Sequence, residues 1–138
     1  MHRVFVYGTL RAGEVNDLNL AAQRHGIAAP TLVGIGVIAG RLYDFGTYPG
    51  LVLDTTAGPV RGDIYDIPDA LLPVLDEIEE VYPGQATLFV REIQPVGLDS
   101  AAVPCLLYPV ADSAVAGLVR IDSGDWVEYR RARDVATA

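Results

Sequence analysis

Glu79 is the residue of this chain best suited to chemistry, and helical geometry singles it out. Across Leu71-Leu72-Pro73-Val74-Leu75-Asp76-Glu77-Ile78-Glu79-Glu80, a helix rotates by roughly 100° per residue. With Leu75 at zero, Leu71 lies near about −40°, Ile78 near about −60° and Leu72 near about +60°, which defines an apolar stripe. Glu79 falls at about +40°, inside that stripe, while Asp76, Glu77 and Glu80 fall at about 100°, 200° and 140° on the polar side. An ionised carboxylate in apolar surroundings must pair, line a wet pocket or take up a proton with a raised pKa. The last is what a general acid/base near neutrality requires. Geometry alone leaves a second reading open, in which Glu79 snorkels to the helix edge or pairs with Arg41, Arg61 or Arg91.

A second feature is Tyr7-Gly8-Thr9-Leu10-Arg11, where an apolar run ends in a glycine turn that leads toward a helix. Backbone N–H groups at such a turn are outside the strand ladder and can receive a carboxylate or oxyanion. A plain turn, with Thr9 satisfying its own backbone, fits the same residues. Other groups offer less. His2 and His25 lack a third ligand and a Cys pair, so no metal site is expected. Cys105 lies in an apolar strand and reads as an inert small hydrophobe. Gly34-Ile35-Gly36-Val37-Ile38-Ala39-Gly40 is one residue too long for a dinucleotide fingerprint and runs into Arg41 rather than a helix start. Trp126 reads as a buried anchor for the C-terminal segment.

The elements that must position these residues are mostly strands. Val4-Phe5-Val6-Tyr7 is a compact β-branched and aromatic run ended by Gly8, as in a central strand. Asn16-Asp17 can cap a short helix through Leu18, Leu20, Ala21 and Ala22, closed by Gly26. From Thr31 to Leu53 the pattern is β-rich but broken by five glycines at 34, 36, 40, 46 and 50, as in a sheet that must curl into a small barrel. Val60–Ile67 alternates as a strand. Asp69 begins a helix over about residues 70–81 with Pro73 in its first turn. Strands are expected again at Leu88–Val96 and Ala102–Val110. This order does not alternate regularly, which disfavours a doubly wound parallel sheet and predicts a mixed α/β (α+β) barrel-like fold.

The 138 residues suit one domain spanning 1–138, and no repeat or linker divides them. Hydrophobic residues make up 51% and charged ones 20%, a mix that fills a core. The net charge of −8 would repel phosphate-rich partners, so nucleic acid is not expected. No run of about 18 apolar residues suggests a membrane span. One cysteine and no apolar leader favour a reducing, cytoplasmic setting. Oligomeric state is not legible.

Taken together, these segments resemble the γ-glutamylcyclotransferase-like family, whose members include AIG2-like proteins. The resemblance rests on Val4-Phe5-Val6-Tyr7-Gly8-Thr9-Leu10-Arg11 with Gly13 and Asn16, and on Leu42-Tyr43-Asp44 before Tyr48-Pro49-Gly50. It continues through Val60-Arg61-Gly62-Asp63-Ile64-Tyr65, Leu75-Asp76-Glu77-Ile78-Glu79, Arg91 and Ser123-Gly124-Asp125-Trp126. It implies a small mixed β-barrel with flanking helices and a cavity for a small-molecule γ-glutamyl substrate. It also implies that Tyr7, Gly8, Thr9 and Leu10 bind the substrate α-carboxylate, that Glu79 is the acid/base, and that Tyr108 reaches the cavity. The implied reaction needs no cofactor: the substrate amine attacks its own γ-amide carbonyl, releasing 5-oxoproline and an amine. The chain departs from the family pattern at Glu80, where Gly is usual, and at Phe89-Val90, where Tyr often precedes the strand Arg. These departures keep alive the alternative of a non-catalytic module that binds small carboxylates.

Overall fold

The structure of the protein is a computed structural model that describes residues 1–79 and 88–137. Its first strand, β1 (His2–Val6), has β4 (Pro59–Ile67) antiparallel on one side and β6 (Ala101–Leu107) parallel on the other, with Val4 opposite Tyr65 and Leu106. β2 (Thr31–Asp44) is long because its two halves serve different partners. Thr31–Ala39 pairs with β4, and Gly40–Asp44 pairs with β3 (Pro49–Leu53) in a hairpin. β5 (Glu92–Leu98) pairs with β6 and touches β2 at Gly97–Val37, which closes the ring β2-β4-β1-β6-β5 into a five-stranded mixed barrel.

Glycine makes the closure possible where strands crowd. A Cβ on Gly36 would stand 2.8 Å from the Ile64 side chain and 2.9 Å from Val96, and one on Gly62 would stand 2.4 Å from the Val6 carbonyl oxygen. No side chain fits at either place, so the glycine-studded stretch curls as expected. Alternation along β1 then divides the core. Phe5 and Tyr7 join the cluster of Leu42, Leu51, Ile64 and Trp126, whereas Val4 and Val6 join that of Leu18, Leu71 and Leu75 from the flanking helices. Each such buried side chain contributes about 1.5–3 kcal/mol of transfer free energy.

Helix α1 (Leu18–Arg24) begins where expected, its Asp17 carboxylate accepting from the Asn19 N–H at 2.8 Å, and Gly26 follows it at φ +64. The second helix is shorter than the periodicity predicts. A 3₁₀ turn (Asp69–Leu71) leads into α2 (Leu72–Ile78), and Glu79 is its C-cap. Residues 80 and 81 of the expected helix lie outside the described residues.

The expected strand Leu88–Val96 is corrected to Glu92–Leu98. Its ladder with β6 starts at Glu92–Leu107, and residue 89 forms an isolated bridge to Val110 outside that ladder. The expected strand Ala102–Val110 likewise ends at Leu107, just before Pro109, which has no N–H for a ladder. Helix α3 (Trp126–Thr137) was not anticipated. Its signal was Asp125, whose carboxylate accepts from the Glu128 N–H at 3.2 Å. Trp126 is fully buried, as read. Among the described residues, no helix is long and apolar enough to cross a membrane.

Candidate active site

The loop after β1 is held by hydrogen bonds to the carbonyls of Gly8, Thr9 and Leu10. Arg11 N–H donates to the Gly8 carbonyl at 3.1 Å, Asn16 N–H to Thr9 at 2.9 Å and Leu18 N–H to Leu10 at 3.2 Å. The N–H groups of Gly8, Thr9 and Leu10 donate to no acceptor among the described residues. Behind the loop, the buried Arg11 guanidinium donates to Asp125 at 3.0 Å and to Asp63 at 3.5 Å, while the Ala12 N–H donates to Asp63 at 3.1 Å. Glycine is required at position 8, where a Cβ would stand 2.7 Å from the Pro49 ring. Free donors on a buried frame form a ready anion receptor.

These three residues line a cavity of about 580 Å³, and Glu79 lines it too. Glu79 reaches it because α2 ends there: the Glu79 N–H still donates to the Leu75 carbonyl at 2.9 Å, so the residue continues the inward stripe. Its carboxyl group has no hydrogen-bond partner among the described residues, and burial pushes its pKa from the ordinary 4.5 up to about 7. The arginines that could have neutralised it are engaged elsewhere or point out. Arg41 pairs with Asp54 and Asp112, Arg91 pairs with Asp76, and Arg61 is exposed.

The two tyrosines play unequal parts. Tyr7 lines the cavity, but its hydroxyl donates to the Tyr108 carbonyl at 2.7 Å and accepts from the Leu51 N–H at 3.2 Å, so it ties three segments together. Tyr108 is 3% exposed, lines the cavity, and donates its hydroxyl proton to Asp76 Oδ1 at 2.7 Å. Burial, and next the negative charge of Glu79, hold the Tyr7 phenol well above its usual range. Burial, then the Asp76 bond, do the same for Tyr108.

Sequence reasoning overlooked the aromatic wall. Tyr48 and Phe89 both line the cavity with ring centres 5.8 Å apart, and Phe45 stacks on Tyr48 at 5.3 Å. The Tyr48-Pro49-Gly50 run was its available signal, since Pro49 packs against Gly8. The Phe89 departure thus falls on the cavity wall, whereas Glu80 lies outside the described residues. Asp76, placed on the polar side of α2 by periodicity, instead joins Tyr108 and Arg91.

The model of the family described as γ-glutamyl cyclotransferase, AIG2-like, matches residues 4–128 of this chain. The chain belongs to that family. A putative γ-glutamylcyclotransferase from Halalkalibacterium halodurans is 34% identical over 94 residues, 67% of this chain and 82% of its own length. The γ-glutamylaminecyclotransferase of Rattus norvegicus is 31% identical over 83% of this chain and 81% of its own length. Among solved structures, an AIG2-like protein from Mus musculus superposes with a TM-score of 0.72 over 88% of this chain and 86% of that one, at 24% identity, which shows the fold. The chain spans only 50% and 42% of two further curated relatives.

Proposed function

We propose that the protein closes 5-oxoproline from a γ-glutamyl amine or amide by intramolecular aminolysis. The observation that supports this most is one carboxyl group, titrating near 7 and without a hydrogen-bond partner among the described residues, in the same cavity as three backbone donors that are likewise free among those residues. Gly8, Thr9 and Leu10 take the substrate α-carboxylate with their N–H groups. This holds the γ-glutamyl chain curled, with its amine near its own γ-carbonyl carbon, and proximity supplies part of the rate.

Glu79 accepts a proton from the α-ammonium. The freed nitrogen attacks the γ-carbonyl carbon and gives up its second proton as the ring forms, the C–N bond to the outgoing amine breaks, and the departing nitrogen takes both protons, one of them returned by Glu79, to leave as an ammonium. A group titrating near neutrality does both halves of this shuttle well. The aromatic wall of Tyr48 and Phe89 receives the leaving amine. The rat relative is named for γ-glutamyl amines, which makes these the first substrates to try.

The test is incubation with a panel of γ-glutamyl amines and amino acids, with 5-oxoproline as the measured product. Glu79→Gln should lower turnover by roughly 10²–10⁴-fold. Wild-type protein and Glu79→Gln both inert across the panel would end the proposal.

A further inference from the structure

The cavity holds a second polar arrangement besides the loop donors. Tyr108 and Glu79 both line it, and Asp76 stands three residues before Glu79 on α2. A hydroxyl has one proton to give and lone pairs to receive, whereas a carboxylate can only receive. The bond between Tyr108 and Asp76 therefore has one possible direction: the proton goes to Asp76 Oδ1, at 2.7 Å. The other Asp76 oxygen takes Arg91 Nη1, which holds the carboxylate turned toward Tyr108. Tyr7 also fastens Tyr108, through its backbone carbonyl.

We propose that Asp76 and Arg91 fix the Tyr108 hydroxyl so that its oxygen, and not its proton, meets the cavity, which makes Tyr108 and Glu79 a paired acceptor for a substrate α-ammonium group. The inference rests on the γ-glutamyl reading above and deepens it. The cavity becomes complementary to a zwitterionic amino-acid head: donors from Gly8, Thr9 and Leu10 for the carboxylate, acceptors from Tyr108 and Glu79 for the ammonium. Tyr108 is then a binding residue, and Asp76 a positioning residue that acts through it.

The experiment measures binding, so it is decided whether or not turnover occurs. In a Glu79→Gln background, calorimetry compares γ-glutamylethylamine with glutaric acid monoethylamide, which keeps the carboxylate and the amide but has hydrogen in place of the ammonium. Tyr108→Phe should weaken γ-glutamylethylamine by roughly 10- to 100-fold, the range for a hydrogen bond to a charged group, and leave the des-amino ligand unchanged.

Asp76→Ala should weaken the same ligand at least about threefold. The double variant should bind no worse than Tyr108→Phe alone, since both remove one interaction. Asp76→Asn, which keeps an acceptor oxygen, should recover binding and covers the case in which Asp76→Ala folds poorly. Equal losses on both ligands, or losses that multiply in the double variant, overturn the proposal. Selective binding without 5-oxoproline formation by the Glu79 protein would leave it standing and remove the catalytic reading instead.

Discussion

A carboxyl group held near neutrality affects stability as well as chemistry, and Glu79 lets the two be measured separately. As the base it must be ionised, so kcat/KM should rise with pH through about 7 and then level. A pH–rate profile with no such limb would remove Glu79 from that role. For stability the sign is opposite. The folded chain holds the Glu79 proton to about pH 7, and the unfolded chain releases it near the ordinary 4.5. The folded state therefore binds more protons between those values, and stability contributed by protonated Glu79 is lost as pH rises through that window. The loss amounts to as much as about 3 kcal/mol. Glu79→Gln should accordingly be more stable than wild type in denaturant titrations at pH 8, by up to that amount. At pH 4.5 the two proteins should be nearly equal.

The elements around the site hold it through a few buried ion pairs. Arg130 on α3 grips Glu14 with two bonds, 2.8 and 2.7 Å, and the Glu14 side chain is 3% exposed. Glu14 belongs to the loop that carries the free donors, so α3 acts as a brace against the receptor. Arg130→Ala removes the charged partner of a buried carboxylate at a part-exposed site and should destabilise the fold by roughly 1–3 kcal/mol, with kcat/KM reduced because the loop loses its backing. Denaturation midpoints and kinetics at one temperature check both. The barrel seam offers a cleaner probe. Gly62→Ala should cost at least about 1–3 kcal/mol by overpacking, because the added carbon meets the Val6 carbonyl and the Phe5 ring, at 2.4 and 2.7 Å.

At the scale of the whole molecule, net charge bears on which leaving groups the proposed reaction would favour. All ten basic residues are arginines, against 18 acidic ones, for a net charge of −8. Among the described residues, Glu79 is the one acidic side chain lining the main cavity, and no arginine lines it. Arg130 lines a neighbouring hollow but is bound to Glu14 and Asp134. A leaving amine that carries its own carboxylate finds no counter-charge here, whereas a cationic one is drawn in by the surrounding field. Turnover of γ-glutamyl derivatives of diamines should exceed that of γ-glutamyl α-amino acids, and the margin should shrink as salt rises from 0.05 to about 0.5 M by screening. Parity at low salt would contradict this.

Local rules reached far into this protein. Periodicity put Glu79 on the apolar stripe of α2, the β-branched run of β1 declared a central strand, and the glycines between 34 and 50 announced a sheet that bends. Each of these follows from interactions within a few residues, which a sequence carries openly. What tertiary structure decided was anything that depends on distant partners. Asp76 looks like a solvated helix acid until Tyr108, 32 residues away, donates to it. Phe89 looks like strand until the β6 ladder stops at Glu92–Leu107 and residue 89, bridged to Val110, forms part of the cavity wall. Helix α3 carries mostly polar residues and draws its place from contacts with Asp44 and Glu14, 89 and 116 residues away. Helix and strand signals are short-range, whereas a cavity exists only where segments far apart in the chain converge, and that convergence is set by packing.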